Sequence, residues 1–172
     1  MARDEPRPSL RPEQTASVLT YRTGVQDANI AGNVHGGQIM KLCDEAAAIA
    51  ATRLAGGRVV TAAVDEMRFR SPVHVGDLIT LRATVNAVWR TSIEVGVRVD
   101  AEKLGRGTIT HTCTAYFTMV ALDGDEKPLP LPPLIPDSAE DERRHREANL
   151  RREVRLAKPG ELRRTTSSAQ PR

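Results

Sequence analysis

Between Gly36 and Ala55 the chain carries Ile39, Leu42, Cys43, Ala46, Ala47, Ala50 and Leu54 at helical spacing, which sets them on one stripe of a single helix. Gly56-Gly57 ends that helix. The size of the stripe residues is what constrains the fold. A face made mostly of alanine gains from burial only if its cover approaches closely, because interiors are close-packed. The cover follows in sequence as four β-like runs, Val59 to Phe69, Leu78 to Trp89, Ser92 to Leu104 and Gly107 to Val120. Pro72 with Gly76-Asp77, then Arg90-Thr91, then Gly105-Arg106-Gly107 separate them, at a spacing that suits antiparallel hairpins. A further strand is expected between Thr15 and Val25. A lone small-residue helix followed by a meander is buried only if the sheet curls around it, so the fold class is α+β, an antiparallel sheet wrapped around one long central helix. One copy leaves a sheet edge open, and dimerisation across that edge is the expected remedy.

At 172 residues, 40% of them hydrophobic, the chain builds one such domain and not two. The expected organisation is a polar, proline-containing disordered head over 1–14, the domain over 15–122, an extended proline-rich strap over 123–136, a charged C-terminal helix over 137–157 and a disordered tail over 158–172. Asp137-Ser138 reads as the N-cap of that last helix, its acidic residues precede its basic ones as the helix dipole favours, and Pro159-Gly160 ends it. The head has no apolar run, so neither a signal peptide nor a membrane anchor is expected, and no later segment has the length of a membrane span. The net charge of +3 lies largely in the tails and aromatic residues are 3% of the chain, which leaves nucleic acid without a stacking platform. Cys43 and Cys113 sit in apolar stretches without metal-ligand spacing, as reduced thiols of a cytoplasmic protein would, and no zinc site is expected.

The chemistry concentrates at the start of the long helix. Asn33 precedes His35-Gly36-Gly37, where the glycines let the backbone turn tightly and approach a ligand. Free amides at a helix start favour negative charge and form an oxyanion hole for an attacked carbonyl, although Gly-Gly alone is also an ordinary helix start. Asp44, inside the helix among apolar residues, is harder to explain structurally. It lies on the order of 10 Å along the axis from that start, too far to serve a carbonyl bound there. Two antiparallel helices in a two-fold dimer would bring Asp44 of one copy to the glycine turn of the other. His35 reads as a catalytic group or as a loop-fixing one, Glu45 points about 100° away from Asp44, and Cys43 reads as a small core residue. Asp65 orders a substrate loop or is a strand-end polar group; the residues leave both open.

His35-Gly-Gly-x4-Leu42-x-Asp44-x-Ala46 resembles the signature of the hotdog thioesterases. Gly32-Asn-Val-His-Gly-Gly with Met40-Lys-Leu-Cys-Asp-Glu-Ala resembles more closely the bacterial and mammalian cytosolic acyl-CoA thioesterases, the acyl-CoA hydrolase type. The likeness continues through Val59-Val-Thr-Ala-Ala-Val-Asp65, Phe69-Arg-Ser-Pro-Val-His-Val-Gly-Asp77 and Arg90-Thr-Ser-Ile-Glu-Val95, then through the strap and the charged helix. The resemblance implies a single hotdog fold that hydrolyses the thioester of fatty or other acyl-CoA to free acid and coenzyme A, with no metal and no cofactor beyond the coenzyme A of its substrate. It implies catalytic Asn33 and Asp44 from opposite hotdog units; the chemistry then has Asn33 orient the water or the thioester and the Gly37 amide stabilise the oxyanion. His35, Gly36, Thr61, Asp65, Arg70, Ser71, Arg90, Thr91 and Ser92 are placed with the substrate and its nucleotide, where an Arg at a strand end is otherwise solvent-exposed. Asp44 activates water as a general base or attacks directly through an anhydride. The family also implies self-association as a dimer and a trimer of dimers. Two alternatives stay open: a phenylacetate-pathway type of aryl-acyl-CoA thioesterase, and a non-catalytic acyl-CoA-binding sensor.

Overall fold

The structure is a computed structural model that describes residues 8–167, with side chains through 157. A short helix α1 (Pro12–Thr15) leads into strand β1 (Ser17–Arg22), and the long helix α2 spans Gly36–Ala55. Strands β2 (Val59–Phe69), β3 (Leu78–Val88), β4 (Ser92–Lys103) and β5 (Thr108–Ala121) follow, then helix α3 (Ala139–Ser167). The five strands form one antiparallel sheet in the order β1-β3-β4-β5-β2, wrapped around α2 in the hotdog arrangement. Ala46, Ala47 and Ala50 are fully buried in one core cluster with Val95, Val97, Ala115 and Phe117 of the sheet. Enlarging any of these alanines overpacks the contact, typically at about 1–3 kcal/mol. Gly56 caps α2 at φ +58, with its N–H donating to the Thr52 carbonyl.

One expected pairing is not made. β2 and β3 are consecutive but do not form a hairpin; β2 lies at the far edge beside β5, and β3 pairs with β1 and β4. The link between them is occupied elsewhere. Val73 accepts a hydrogen bond from the Val34 N–H (2.8 Å), His74 bridges Asn33, and the Asp77 carboxylate accepts from the His74 N–H (2.9 Å). The chain therefore crosses the loop that leads into α2, and the outer edge of β2 is left without a partner strand among the described residues.

The head is ordered from Leu10 onward, against the expectation over 1–14, of which 1–7 lie outside the described residues. Leu10 donates to Pro133 (3.1 Å) and accepts from Ile135 (2.8 Å), so the strap supplies the backbone partners that a free terminus lacks. Thr15 then accepts the Val85 N–H (3.1 Å) at a buried position. The strap is held in turn by Leu129 on Ala121 and Leu131 on Arg90. Helix α3 runs past Pro159-Gly160 to Ser167, beyond the expected end at 157. A proline inside a helix costs about 3 kcal/mol without forbidding it, and the flanking Leu, Lys, Glu and Arg residues are good helix formers.

Candidate active site

The segment before α2 is built by side chains that take the place of secondary structure. The buried Asp27 carboxylate accepts the Gly24 N–H (2.7 Å) and the Tyr21 hydroxyl, and its backbone carbonyl accepts the His35 N–H (2.7 Å). Asn29 organises the next turn. Its side-chain oxygen accepts from Ala31 (2.9 Å) and Asn33 (3.2 Å), and its own N–H donates to the Asn33 carbonyl (2.7 Å). Gly32 at φ +79 closes this turn in a region that favours glycine. With its oxygen held by two backbone donors, the Asn29 carboxamide has its NH2 left to offer a ligand.

At the helix start, His35 is the N-cap: its Nδ1 accepts the Gly37 N–H at 2.9 Å. That occupies the amide expected from the sequence to meet the oxyanion. The Gly36 N–H has no acceptor among the described residues, and Gly36, not Gly37, lines the adjoining cleft of about 390 Å³. Asn29, Asn33, Arg70 and Ser71 line it as well, together with Val34, Ile39, Phe69, Pro72 and Val73. The structure therefore brings Asn33, Gly36, Arg70 and Ser71 together, with His35 holding the turn.

Asp44 is not in that cleft. Eight residues along α2 from Gly36, it lies about 12 Å up the axis, half-buried, with its carboxylate accepting the hydroxyl of Thr61. Glu45 points to solvent beside Lys41. Arg90, Thr91 and Ser92 lie at the Thr61 end of the sheet, since Ser92 is opposite Val120 and Val120 is opposite Val60. Arg70 and Ser71 follow the other end of β2, nine strand residues away, a span of roughly 30 Å along an extended strand. The candidate residues thus fall into two half-sites on one chain.

Asp65 belongs to neither. The register shift beside it frees its side chain, which accepts from Thr118 (2.7 Å) and pairs with Arg155 of α3. These contacts tie the C-terminal helix to β2. Cys43 is a core residue. A hydrogen bond with Cys113, burial and the negative field of Asp44 all push its thiol well above the ordinary value, so it stays protonated. A second cleft, about 350 Å³, separates α3 from the outer face of the sheet. Its arginines are engaged by carboxylates: Arg82 and Arg98 by Asp100, Arg143 and Arg144 by Glu140, and Arg151 by Glu94. That cleft is the seam on which the helix rides. Among the described residues no cluster of three or more His, Cys, Asp or Glu is gathered for a metal, and no helix is long and apolar enough to cross a membrane.

Two residues of the first half-site carry no assignment from sequence. Asn29 stands four positions before Asn33, where an Asx-type turn before Gly32 was readable. Phe69 ends β2, and nothing local in the sequence sends its ring to the helix start.

The family model of the thioesterase superfamily matches residues 31–108. Protein VdlD of Helicobacter pylori is 37% identical over 143 residues, which cover 83% of this chain and 82% of that protein. The chain belongs to the thioesterase superfamily. A hexameric acyl-CoA thioesterase solved in its apo form superposes with a TM-score of 0.85 at 35% identity, covering 89% of this chain and 98% of the other. The acyl-CoA hydrolase of Staphylococcus aureus, solved with butyryl coenzyme A, coenzyme A and coenzyme A disulfide, gives a TM-score of 0.85 at 30% identity, covering 95% and 100%. That enzyme has also been solved with alanine replacing an Asn, an Asp fifteen positions later and a Thr seventeen beyond the Asp.

Proposed function

We propose that this thioesterase-superfamily member hydrolyses acyl-CoA at a site shared between two copies of the chain, with the partner's Asp44 completing the cleft at Gly36. The chain is an acyl-CoA thioesterase. The observation that carries the shared site is the separation just described: the cleft holds an unpaired helix-start amide and two carboxamides but no base, and the only helix-borne carboxylate of the motif that is half-buried and oriented lies about 12 Å away. The free edge of β2 supplies the remedy. If two β2 strands pair antiparallel across it, the Thr61 end of one faces the Phe69 end of the other, and each Asp44 meets the opposite cleft.

The chemistry follows from the parts. The Gly36 N–H and the dipole of α2 stabilise the oxygen of the attacked carbonyl, a contribution of about 10²–10³ in rate for one such donor. The partner's Asp44, oriented by the Thr61 hydroxyl, takes a proton from the attacking water. The C–S bond breaks, the proton passes to the departing thiolate, and a carboxylic acid and coenzyme A result. Direct attack by the carboxylate, with an anhydride hydrolysed afterwards, uses the same placement.

The asparagine in this reading is Asn29 in preference to Asn33. Its carbonyl oxygen is tied down, which orients its NH2. Asn29, Asp44 and Thr61 also keep the fifteen- and seventeen-residue spacings of the three positions substituted in the S. aureus hydrolase. Arg70 and Ser71 from one copy, with Arg90, Thr91 and Ser92 from the other, meet the nucleotide of coenzyme A. A trimer of such dimers and a cytoplasmic location complete the reading, and the chemistry draws on no metal or redox cofactor.

The test is thiol release from acyl-CoAs of several lengths by the native chain and by Asp44→Ala, Asn29→Ala and Asn33→Ala. The expected result is a loss of about 10²-fold or more in kcat for the first two and a smaller one for the third. Full activity in Asp44→Ala refutes the base assignment. Tight acyl-CoA binding without turnover by the native chain makes it a sensor.

A further inference from the structure

Phe69 faces Cys113 across the ladder, and Cys113 is a core residue, so the Phe69 side chain emerges on the α2 side of the sheet. It nevertheless remains 50% exposed, because β2 ends there and the core does not reach it. The backbone just beyond is fixed by Arg70 donating to the Thr112 carbonyl (2.8 Å). The ring tip abuts the helix start. A methyl group built on Gly36 would lie 3.3 Å from the ring Cζ and 3.7 and 3.8 Å from Cε2 and Cε1. Of the apolar residues lining the cleft, Val34, Ile39 and Val73 are buried, which leaves the exposed Phe69 ring and Pro72 as the apolar surface an entering ligand meets, and of the two only the ring abuts the helix start.

We propose that Phe69 determines acyl specificity, its ring packing against the carbon next to the thioester carbonyl and selecting unbranched acyl groups. The inference rests on the reading that the carbonyl oxygen is held at the Gly36 N–H. A carbonyl there places its α-carbon beside the ring, and on the Gly36 side one added carbon would already be in tight contact with it, at 3.3 Å. A straight chain runs along the ring face, whereas a methyl branch at the α-carbon is driven into it. A pocket that discriminates by one carbon does so by about tenfold or more.

The experiment compares kcat/KM for butyryl-CoA and its α-branched isomer, isobutyryl-CoA, in the native chain, Phe69→Leu and Phe69→Ala. The expected native preference for the straight chain is about tenfold or more, falling in Phe69→Leu and approaching unity in Phe69→Ala. The Phe69→Leu protein keeps an apolar side chain of similar reach, so it reports even if the alanine protein does not fold. A native enzyme indifferent to branching, or active variants with an unchanged ratio, overturns the inference and leaves the shared site standing. A native chain that hydrolyses neither of these thioesters nor longer straight-chain acyl-CoAs overturns both.

Discussion

Helix α3 is attached to the outer face of the sheet by charge more than by apolar packing, and Arg151→Ala measures how much that attachment contributes. Glu94 is fully buried on β4, and its carboxylate accepts from Asn86 (3.1 Å) and from the Arg151 guanidinium at 2.6 and 3.1 Å. Arg151 also lies 3.7 Å over the Tyr116 ring. Burial works against the Arg151 charge, and the hydrogen bonds and charge of Glu94 more than offset it, which leaves the guanidinium above its ordinary pKa. Removing the arginine leaves a desolvated carboxylate with one neutral donor. Breaking a buried pair from one side costs about 3–5 kcal/mol; because Asn86 stays and water follows the truncated side chain in, the lower end applies, about 3 kcal/mol. For a chain of this length that is a fall of roughly 6–12 °C in Tm, readable by scanning calorimetry at fixed protein concentration. Glu94→Gln combined with Arg151→Met removes both charges, keeps the Asn86 contact, and is expected to recover at least half of the loss. An Arg151→Ala protein within about 1 kcal/mol of native, or a double variant no better than the single one, refutes the argument that the unpaired charge is what costs.

Three further outcomes are expected. His35→Ala removes the N-cap of α2 and lowers stability by about 1 kcal/mol in urea unfolding, while His35→Asn, which also caps, restores most of it; equal effects of both would show that the ring acts otherwise. Gly96→Ala places a methyl 2.7 Å from the Asn86 Nδ2, so Asn86 is pushed off Glu94 and the midpoint of unfolding falls, whereas an unchanged midpoint would show that the amide has room to move. Glu140 is held down to about 2, foremost by its hydrogen bond to Arg143 and further by the charges of Arg144 and Arg143. Its folded value is below its unfolded one, so its contribution to the first turn of α3 is present above about pH 4.5 and is lost as the pH falls toward 2. A carboxyl NMR titration of Glu140 centred near 4.5 would contradict that.

The sequence carries α2 and the strands closely because each is marked by its own period and its own stop: the helix bounds are Gly36 and Ala55, and β2 spans Val59–Phe69 as its apolar run does. The place of β2 at the far edge is not local information. It follows from the 70–77 link pairing with the loop before α2, a contact between segments some forty residues apart. Pairing also explains the ordered head, which Leu10 owes to a strap that lies at the other end of the domain. In the site, Asp44 was legible because a carboxylate among apolar helix residues requires a reason. The sequence does not say which way the His35 ring turns, and that orientation decides which amide of the helix start is left unpaired. Asn29 and Asn33 look alike in sequence; only the hydrogen bonds separate the residue that organises the turn from the one it holds.

The central claim is that neither half-site works alone, and it is tested most directly by mixing two inactive proteins, Asn29→Ala and Asp44→Ala, under conditions of demonstrated subunit exchange. A mixed dimer pairs the intact Asn29 of one copy with the intact Asp44 of the other, so one site in two is whole. With random two-fold assembly, activity on the order of a quarter of native is expected to return. No recovery, with mixed dimers shown to be present, would place both residues in a site within a single chain.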